Sequence, residues 1–175
     1  IESGFGARIM VSPGPRGGFL LNNQLTDFSF APTDANGTPV ANRLQAGKRP
    51  RSSMNPVLVY ASDEAGQRGP LLLSLGSPGG AGIIHYTSQS LWGILHGGLD
   101  AQQAIQQPHS GVTSANGALL LEASRFTAST VDGLKARGHE VQQIEMQSGL
   151  QAIQRKGDGW LGAADPRREG SVSGD

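Results

Sequence analysis

The stretch LLLSLGSPGGAGIIHYTSQSLWGILHGG, from Leu71 to Gly98, holds the residues whose types and spacing bear most directly on chemistry. At its centre lies Gly76-Ser77-Pro78-Gly79-Gly80. A strand that turns through glycines into a helix brings consecutive backbone N–H groups, with no Cβ in the way, to the positive end of the helix dipole. Such a place holds negative charge. Spacing narrows which charge. A phosphate-gripping loop needs GxxxxGKS or GxxxxGKT, and neither Lys nor Thr follows these glycines at that distance. The dinucleotide fingerprint GxGxxG fails, because the glycines fall at Gly76, Gly79, Gly80 and Gly82, although Asp100 lies near the distance of a ribose-binding acid. Pro78 removes one N–H from the nest. Ser77 is followed by Pro-Gly-Gly, so it is not the serine of a GxSxG elbow. A transient oxyanion held by the N–H groups of Gly79 and Gly80 fits what remains. The same spacing also describes a tight strand-to-helix turn that does no chemistry.

Two further clusters carry polar groups. Asn22-Asn23-Gln24-Leu25-Thr26-Asp27-Phe28-Ser29 follows an apolar run, so Gln24 and Asp27 either face a cleft or close a turn in which Asn and Asp cap a short helix. From Ala46 to Pro56 the prolines hold the chain extended. Adjacent Ser52 and Ser53 then point to opposite faces, and both reach one ligand only if the backbone bends or a backbone N–H joins in. The run Lys48-Arg49-Pro50-Arg51 reads as a solvated loop. It has no aromatic interleaving of the kind that nucleic-acid binding uses.

Composition sets the bounds. A chain of 175 residues suffices for one domain with a real core and is short for two. Formal net charge is zero, with 14 basic and 14 acidic residues, so nothing calls for nucleic acid or a membrane surface. There is no cysteine, and the 4 histidines show no HExxH or HxxxH spacing, so neither a disulfide framework, a thiolate site nor a zinc site is implied. No cofactor is called for. The start, IESGFGARIMV, has no basic leader and no initiator Met, which reads as a piece of something longer.

The elements that must position these groups can be read from periodicity. Leu71 to Leu75 is too brief for a helix and suits a buried strand. Ile83, Ile84, Thr87, Leu91, Ile94 and Leu95 recur at helical spacing, predicting a helix from near Ala81, stopped by Gly97-Gly98. Strands are expected at Ala7–Val11 and Gly18–Asn22, with SPGPRGG as the loop between, and at Val57–Ala61, antiparallel to Leu71–Leu75. Residues 30–45 read as loop. Asp100 caps a short helix over Ala101–Gln107 that Pro108 ends. Leu119–Glu122 is a strand, Ala128–Arg137 a helix stopped by Gly138, and Glu140–Ile144 a strand. Leu150–Lys156 and Trp160–Ala164 flank Gly157-Asp158-Gly159 as a hairpin. The class is α+β, with no internal repeat and no linker, and residues 1–175 are read as a single domain.

Four segments, in order and spread over nearly the whole chain, resemble the gamma-glutamyltransferase family, also called glutathione hydrolases, of the N-terminal-nucleophile superfamily. They are GFLLNNQLTDFS (Gly18 to Ser29), GKRPRSSMNP (Gly47 to Pro56), GSPGG (Gly76 to Gly80) and GAADPR (Gly162 to Arg167). The resemblance implies a precursor that cuts itself into a large and a small subunit, with the new N-terminal Thr of the small subunit as nucleophile. This chain matches the small subunit without its first segment, so the nucleophile is expected before Ile1. The implied fold is the αββα sandwich, of which this chain supplies a large half. Gly79 and Gly80 match the oxyanion-hole glycines, and Ser52 and Ser53 the pair that binds the α-carboxylate of the glutamyl group. Gln24 and Asp27 match residues that hold its α-ammonium. Glu2 stands where many members have Asn, another amino-group contact. The large subunit is expected to supply an arginine for the substrate carboxylate, and bacterial members are mostly periplasmic or secreted.

The chemistry agrees. A free amino-acid head group needs an acid for its ammonium, here Asp27, and donors for its carboxylate, here the hydroxyls of Ser52 and Ser53. Acyl transfer from an amide needs donors aimed at the developing oxyanion. The expected function is therefore gamma-glutamyl transfer, or hydrolysis of gamma-glutamyl amides such as glutathione, with the large subunit and upstream segment as partners. The chain alone is expected to be inactive, and to pair with a second copy through surface that the large subunit covers. Two other readings stay open: a non-catalytic family member that keeps the fold for binding, and a nucleotide-binding domain.

Overall fold

The computed structural model describes residues 5–10, 19–113 and 117–174. The chain forms two compact units, one from Ser3 to Ser53 and the other from Met54 onward.

In the first unit, β1 (Phe5–Met10) and β2 (Phe19–Asn22) pair as an antiparallel hairpin with a register shift between Phe5 and Ile9. The SPGPRGG loop expected between them lies outside the described residues, as does the Val11 end of the first expected strand. Gln24–Asp27 is a single 3-10 turn. Asn23 sits at its N-cap without a side-chain bond, so the cap expected from Asn and Asp is not made. Instead the Asn23 carbonyl accepts from both the N–H and the hydroxyl of Thr26. Residues 30–45 are irregular, as their Pro, Asn and Gly content predicts, and are pinned by isolated bridges Ser29–Arg43 and Thr33–Pro39.

The second unit is built on a sheet of order β3-β4-β8-β9, all antiparallel: β3 (Val57–Ser62), β4 (Arg68–Gly76), β8 (Gln151–Lys156) and β9 (Gly159–Ala164). Alternation along β4 sends Leu73 and Leu75 inward, where they meet Ala152 and Ala163 of the neighbouring strands. On that face lie α1 (Ile83–Leu95) and α2 (Ala101–Ile105), contributing Tyr86, Ala101 and Ile105 to one core with Met146 and Leu150. Each large apolar side chain fully buried there contributes about 1.5–3 kcal/mol. A second sheet joins β5 (Ser110–Gly111), β6 (Leu119–Glu122) and β7 (Val141–Ile144). β6 and β7 run parallel, linked by α3 (Ala128–Ala136).

Local signals explain the boundaries. Asp100 caps α2 in a full capping box with Gln103, each side chain bonding the other residue's N–H. This helix stops at Ile105, two residues short of Gln107: the Gln106 N–H still bonds the Gln102 carbonyl, but the Gln107 N–H turns back to Ala104. The Gln102 side-chain amide pairs with the N–H and C=O of Ala164 as a strand would. Gly98 takes φ +68° just past α1, and Gly138 φ +89° just past α3, both in the left-handed region that ends helices.

The apolar repeat that predicts α1 faces the core only in part. The buried stripe of α1 is Ile83, Tyr86, Thr87 and Ser90, whereas Ile84 and Leu95 are about half exposed, at 50% and 47%. Ile83 and Thr87 are nonetheless members of the expected repeat, and its Leu91 and Ile94 pack against the core. The buried Thr87 hydroxyl is satisfied by donating to the Ile83 carbonyl and accepting from the Asn55 amide. Among the described residues, no helix is long and apolar enough to cross a membrane.

Candidate active site

The strand β4 ends at Gly76, and Ser77 to Gly82 carry the chain into α1. Gly80–Gly82 is a short 3-10 turn that runs directly into the helix. Gly79 adopts φ +138° and Gly80 φ +57°, conformations that a side chain resists. Among the described residues neither N–H finds a backbone acceptor, while the Gly79 carbonyl takes the N–H of Gly82. Gly80 is exposed and Gly79 partly so. Two adjacent unpaired donors at a helix N-terminus can hold a developing oxyanion. Beside them a cavity of about 290 Å³ is lined by Gly79, Gly82, His85, Tyr86, Ser110 and Met146, among others.

The turn is anchored from below. Ser77 is buried, and its Oγ accepts the N–H of Gly149 at 3.1 Å and donates to the Pro78 carbonyl at 2.7 Å. Pro78 packs so closely on Gly149 that a Cβ there would lie 2.7 Å from its ring. On either side of Gly149, Ser148 donates its hydroxyl proton to Asp165 Oδ2, and the Leu150 N–H donates to the same oxygen at 3.1 Å. Asp165 belongs to the GAADPR segment, whose Arg167 is the hub of a buried polar cluster. Its Nε and Nη2 donate to the two oxygens of Glu122 at 2.6 and 2.8 Å, and Nη1 to Asp165 Oδ1 at 3.1 Å. The remaining capacity is spent on the Ile105 and Gln107 carbonyls.

Electrostatics follow from this geometry. Burial by itself would raise the Glu122 and Asp165 carboxyls, but their hydrogen bonds prevail: Arg167 and the His109 N–H hold Glu122 below its ordinary value, and Ser148 with two backbone N–H groups does so for Asp165. The Arg167 guanidinium is correspondingly raised, against its own burial. His109 is pushed down to about 4, first by burial and then by Arg167. Because the Ser148 hydroxyl hydrogen is engaged with the Asp165 carboxylate, its oxygen accepts from His109 Nε2 at 2.9 Å, which assigns the imidazole proton to Nε2. Nδ1 is then a buried acceptor without a partner among the described residues.

The head-group candidates lie in the first unit. Asp27 is partly buried, and no described residue donates to its carboxylate; Gln24 is exposed in the same turn. Ser52 is exposed and Ser53 partly buried, in a segment without regular structure. The residue that sequence reasoning missed is Asn42. Its Nδ2 donates to the Asp27 carbonyl at 2.7 Å and its Oδ1 accepts the Arg51 N–H at 2.8 Å, tying the two segments together. Nothing local in the sequence announces it, since Asn in a loop is ordinary. Glu2 lies outside the described residues. No group of three or more His, Cys, Asp or Glu suited to a metal occurs among the described residues.

The family model described as gamma-glutamyltranspeptidase matches residues 1–175. The glutathione hydrolase proenzyme of Escherichia coli K12 is 33% identical over 172 residues, covering 95% of this chain and 28% of its own length. That of Bacillus subtilis subsp. natto is 38% identical over 114 residues, covering 65% of this chain and 17% of its own. The chain thus spans well under a third of these curated relatives. Among solved structures, the gamma-glutamyltranspeptidase of Pseudomonas nitroreducens complexed with L-DON matches with TM-score 0.75 and 29% identity, over 95% of this chain and 86% of that one. A mutant of the Helicobacter pylori gamma-glutamyltranspeptidase matches with TM-score 0.72 and 30% identity, over 90% and 86%. The α+β fold is that of these N-terminal-nucleophile enzymes, and the chain belongs to the gamma-glutamyltranspeptidase family.

Proposed function

We propose that this chain is a small-subunit portion of an enzyme that transfers or hydrolyses gamma-glutamyl groups through a glutamyl-enzyme intermediate, with glutathione-like amides as donors. The observation that most supports the reading is the pair of N–H groups of Gly79 and Gly80 at the mouth of α1, which find no acceptor among the described residues. In the attack step a threonine oxygen, placed upstream of Ile1 by the resemblance, adds to the gamma-carbonyl. The carbonyl oxygen becomes an alkoxide, and the two N–H groups stabilise it in the transition state more than in the ground state. The threonine's own α-amino group, the base that the resemblance implies, takes the hydroxyl proton during attack and returns it to the leaving nitrogen, so that collapse expels a neutral amine. Water or an acceptor amine then repeats the sequence on the ester. The Asp27 carboxylate is the ammonium contact, Gln24 assists it, and Ser52 with Ser53 hold the α-carboxylate; Glu2 is a further amino-group contact. The family resemblance, not geometry, assigns these groups to one substrate. The large subunit of the same precursor completes the site, and export to the periplasm or medium fits this reading.

The test is an assay with a chromogenic gamma-glutamyl anilide on the 175-residue chain and on the full-length protein that carries it. The proposal expects turnover by the full-length protein and none by the chain, since donors to an oxyanion do nothing without an attacking group. Turnover by the short chain overturns the upstream nucleophile. Activity in neither favours the non-catalytic reading.

A further inference from the structure

The Gly79-Gly80 turn rests on an aromatic floor that no sequence motif announced. Tyr86 is buried, and its ring lies directly under the turn: a Cβ at Gly79 would come within 2.7 Å of Tyr86 Cε2, and one at Gly82 within 2.7 Å of its Cζ and Oη. Both glycines are thus required for the ring's approach, and Gly79, at φ +138°, for the backbone conformation as well. The ring also meets His109, with centroids 4.6 Å apart and planes tilted by 40°. His109 donates through Nε2 to Ser148, Ser148 precedes Gly149, and Gly149 returns to the turn through Ser77. The contacts close a ring: Gly79 and Gly82 to Tyr86, to His109, to Ser148, through Gly149 to Ser77, and along the chain to Gly79. Every side chain in it is buried, at no more than 7% exposure.

We propose that Tyr86 and His109 are positioning residues for the oxyanion donors, fixing the direction of the Gly79 and Gly80 N–H groups from beneath. This deepens the function proposed above and rests on it. The physical argument is one of tolerance. Gly79 and Gly80 take positive-φ backbone conformations and have no side chains by which to be held. Their orientation is set by what they rest on. A donor displaced by a fraction of an ångström still permits substrate binding but loses its alignment with the alkoxide, which exists only in the transition state. The Tyr86 ring, and not its hydroxyl, is the surface in contact with Gly79. His109 packs against that ring and so helps to fix its place.

The experiment uses the full-length protein with Tyr86→Leu, Tyr86→Phe and His109→Ala. Active sites are counted with a glutamine-analogue affinity label, and kcat is expressed per labelled site with a gamma-glutamyl anilide as substrate. Expected are a fall in kcat of about 10- to 100-fold for Tyr86→Leu and His109→Ala with KM within about twofold, the signature of lost transition-state stabilisation. Tyr86→Phe, which keeps the ring, should recover most of the loss. A variant that yields fewer labelled sites but unchanged kcat per site shows a merely structural role and overturns the proposal. So does a raised KM at constant kcat, which would place the effect on binding. Should the wild-type protein not turn over the anilide at all, the function itself fails and this inference with it, a result distinct from wild-type activity with unaffected variants.

Discussion

Arg167 grips Glu122 with two parallel hydrogen bonds, Nε to Oε1 at 2.6 Å and Nη2 to Oε2 at 2.8 Å, across 45 residues of sequence and with both side chains nearly buried. A buried pair of this kind is weak evidence of net stabilisation, because desolvation opposes attraction, but removing one partner strands the other. Arg167→Met should therefore cost about 3–5 kcal/mol, since Asp165 would lose its counter-charge and Glu122 would keep only the longer, more exposed contact with Arg125 at 4.0 Å. Arg167→Lys should cost less, yet clearly more than a surface change, because an ammonium cannot form the fork. Urea unfolding of the full-length protein measures both. A change within about 0.5 kcal/mol for Arg167→Met would remove the cluster from the account.

Acid should weaken the protein in a defined window. His109, Glu122 and Asp165 all bind protons less readily when folded than when unfolded. As pH falls, the unfolded chain takes up protons first and stability drops. For His109 the loss begins at its ordinary value of 6.5 and is complete near 4, on the order of 3 kcal/mol. The charged groups acting on it are Arg167 and Arg125, which oppose protonation, and Glu122 and Asp165, which favour it. Burial decides the outcome. His109→Phe keeps a ring against Tyr86 and removes the titration, so its stability should be flatter than wild type between pH 6.5 and 4. An equal slope in both proteins would assign the acid sensitivity elsewhere.

Asn42 should act on binding. Its two hydrogen bonds, to the Asp27 carbonyl and from the Arg51 N–H, are each worth about 1 kcal/mol, and Asn42→Ala removes both. KM for a gamma-glutamyl donor should rise about tenfold with kcat little changed, the pattern of lost uniform binding. A KM within about twofold of wild type would separate the Asp27 and Ser52-Ser53 segments from the head group.

The two glycines of the turn should tolerate alanine unequally. Gly80 has φ +57° and open space where a Cβ would stand, so Gly80→Ala carries only backbone strain of about 1 kcal/mol. At Gly79, φ +138° combines with a Cβ position 2.7 Å from the Tyr86 ring, so Gly79→Ala must push the ring or the turn aside. Thermal unfolding and kcat should both rank Gly79→Ala as the more damaging, and the opposite order would contradict the geometry.

Features set by a few adjacent residues are legible in the amino-acid sequence. The strand into the glycine turn, the Asp100 cap, the β3–β4 and β8–β9 hairpins and the Gly138 stop are all of this kind. What escapes is non-local. The Glu122–Arg167 pair depends on β6 and the chain after β9 meeting in space. The inward choice of Tyr86 and Ser90 over Ile84 and Leu95 depends on what faces α1. The two-residue strand Ser110–Gly111 is too short to have a period. The same limit applies to the site: glycines and serines show themselves by spacing, whereas Asn42, Tyr86 and His109 act through neighbours that only the fold supplies.

The most direct test of the central claim replaces the Gly80 amide by an ester in the full-length protein, exchanging the N–H for an oxygen while leaving the shape of the turn. Single-turnover acylation by a gamma-glutamyl anilide is then compared with the all-amide protein. If the Gly80 N–H stabilises the oxyanion, the acylation rate falls by about 10²- to 10³-fold while donor binding is unchanged. An acylation rate equal to that of the all-amide protein would contradict the account.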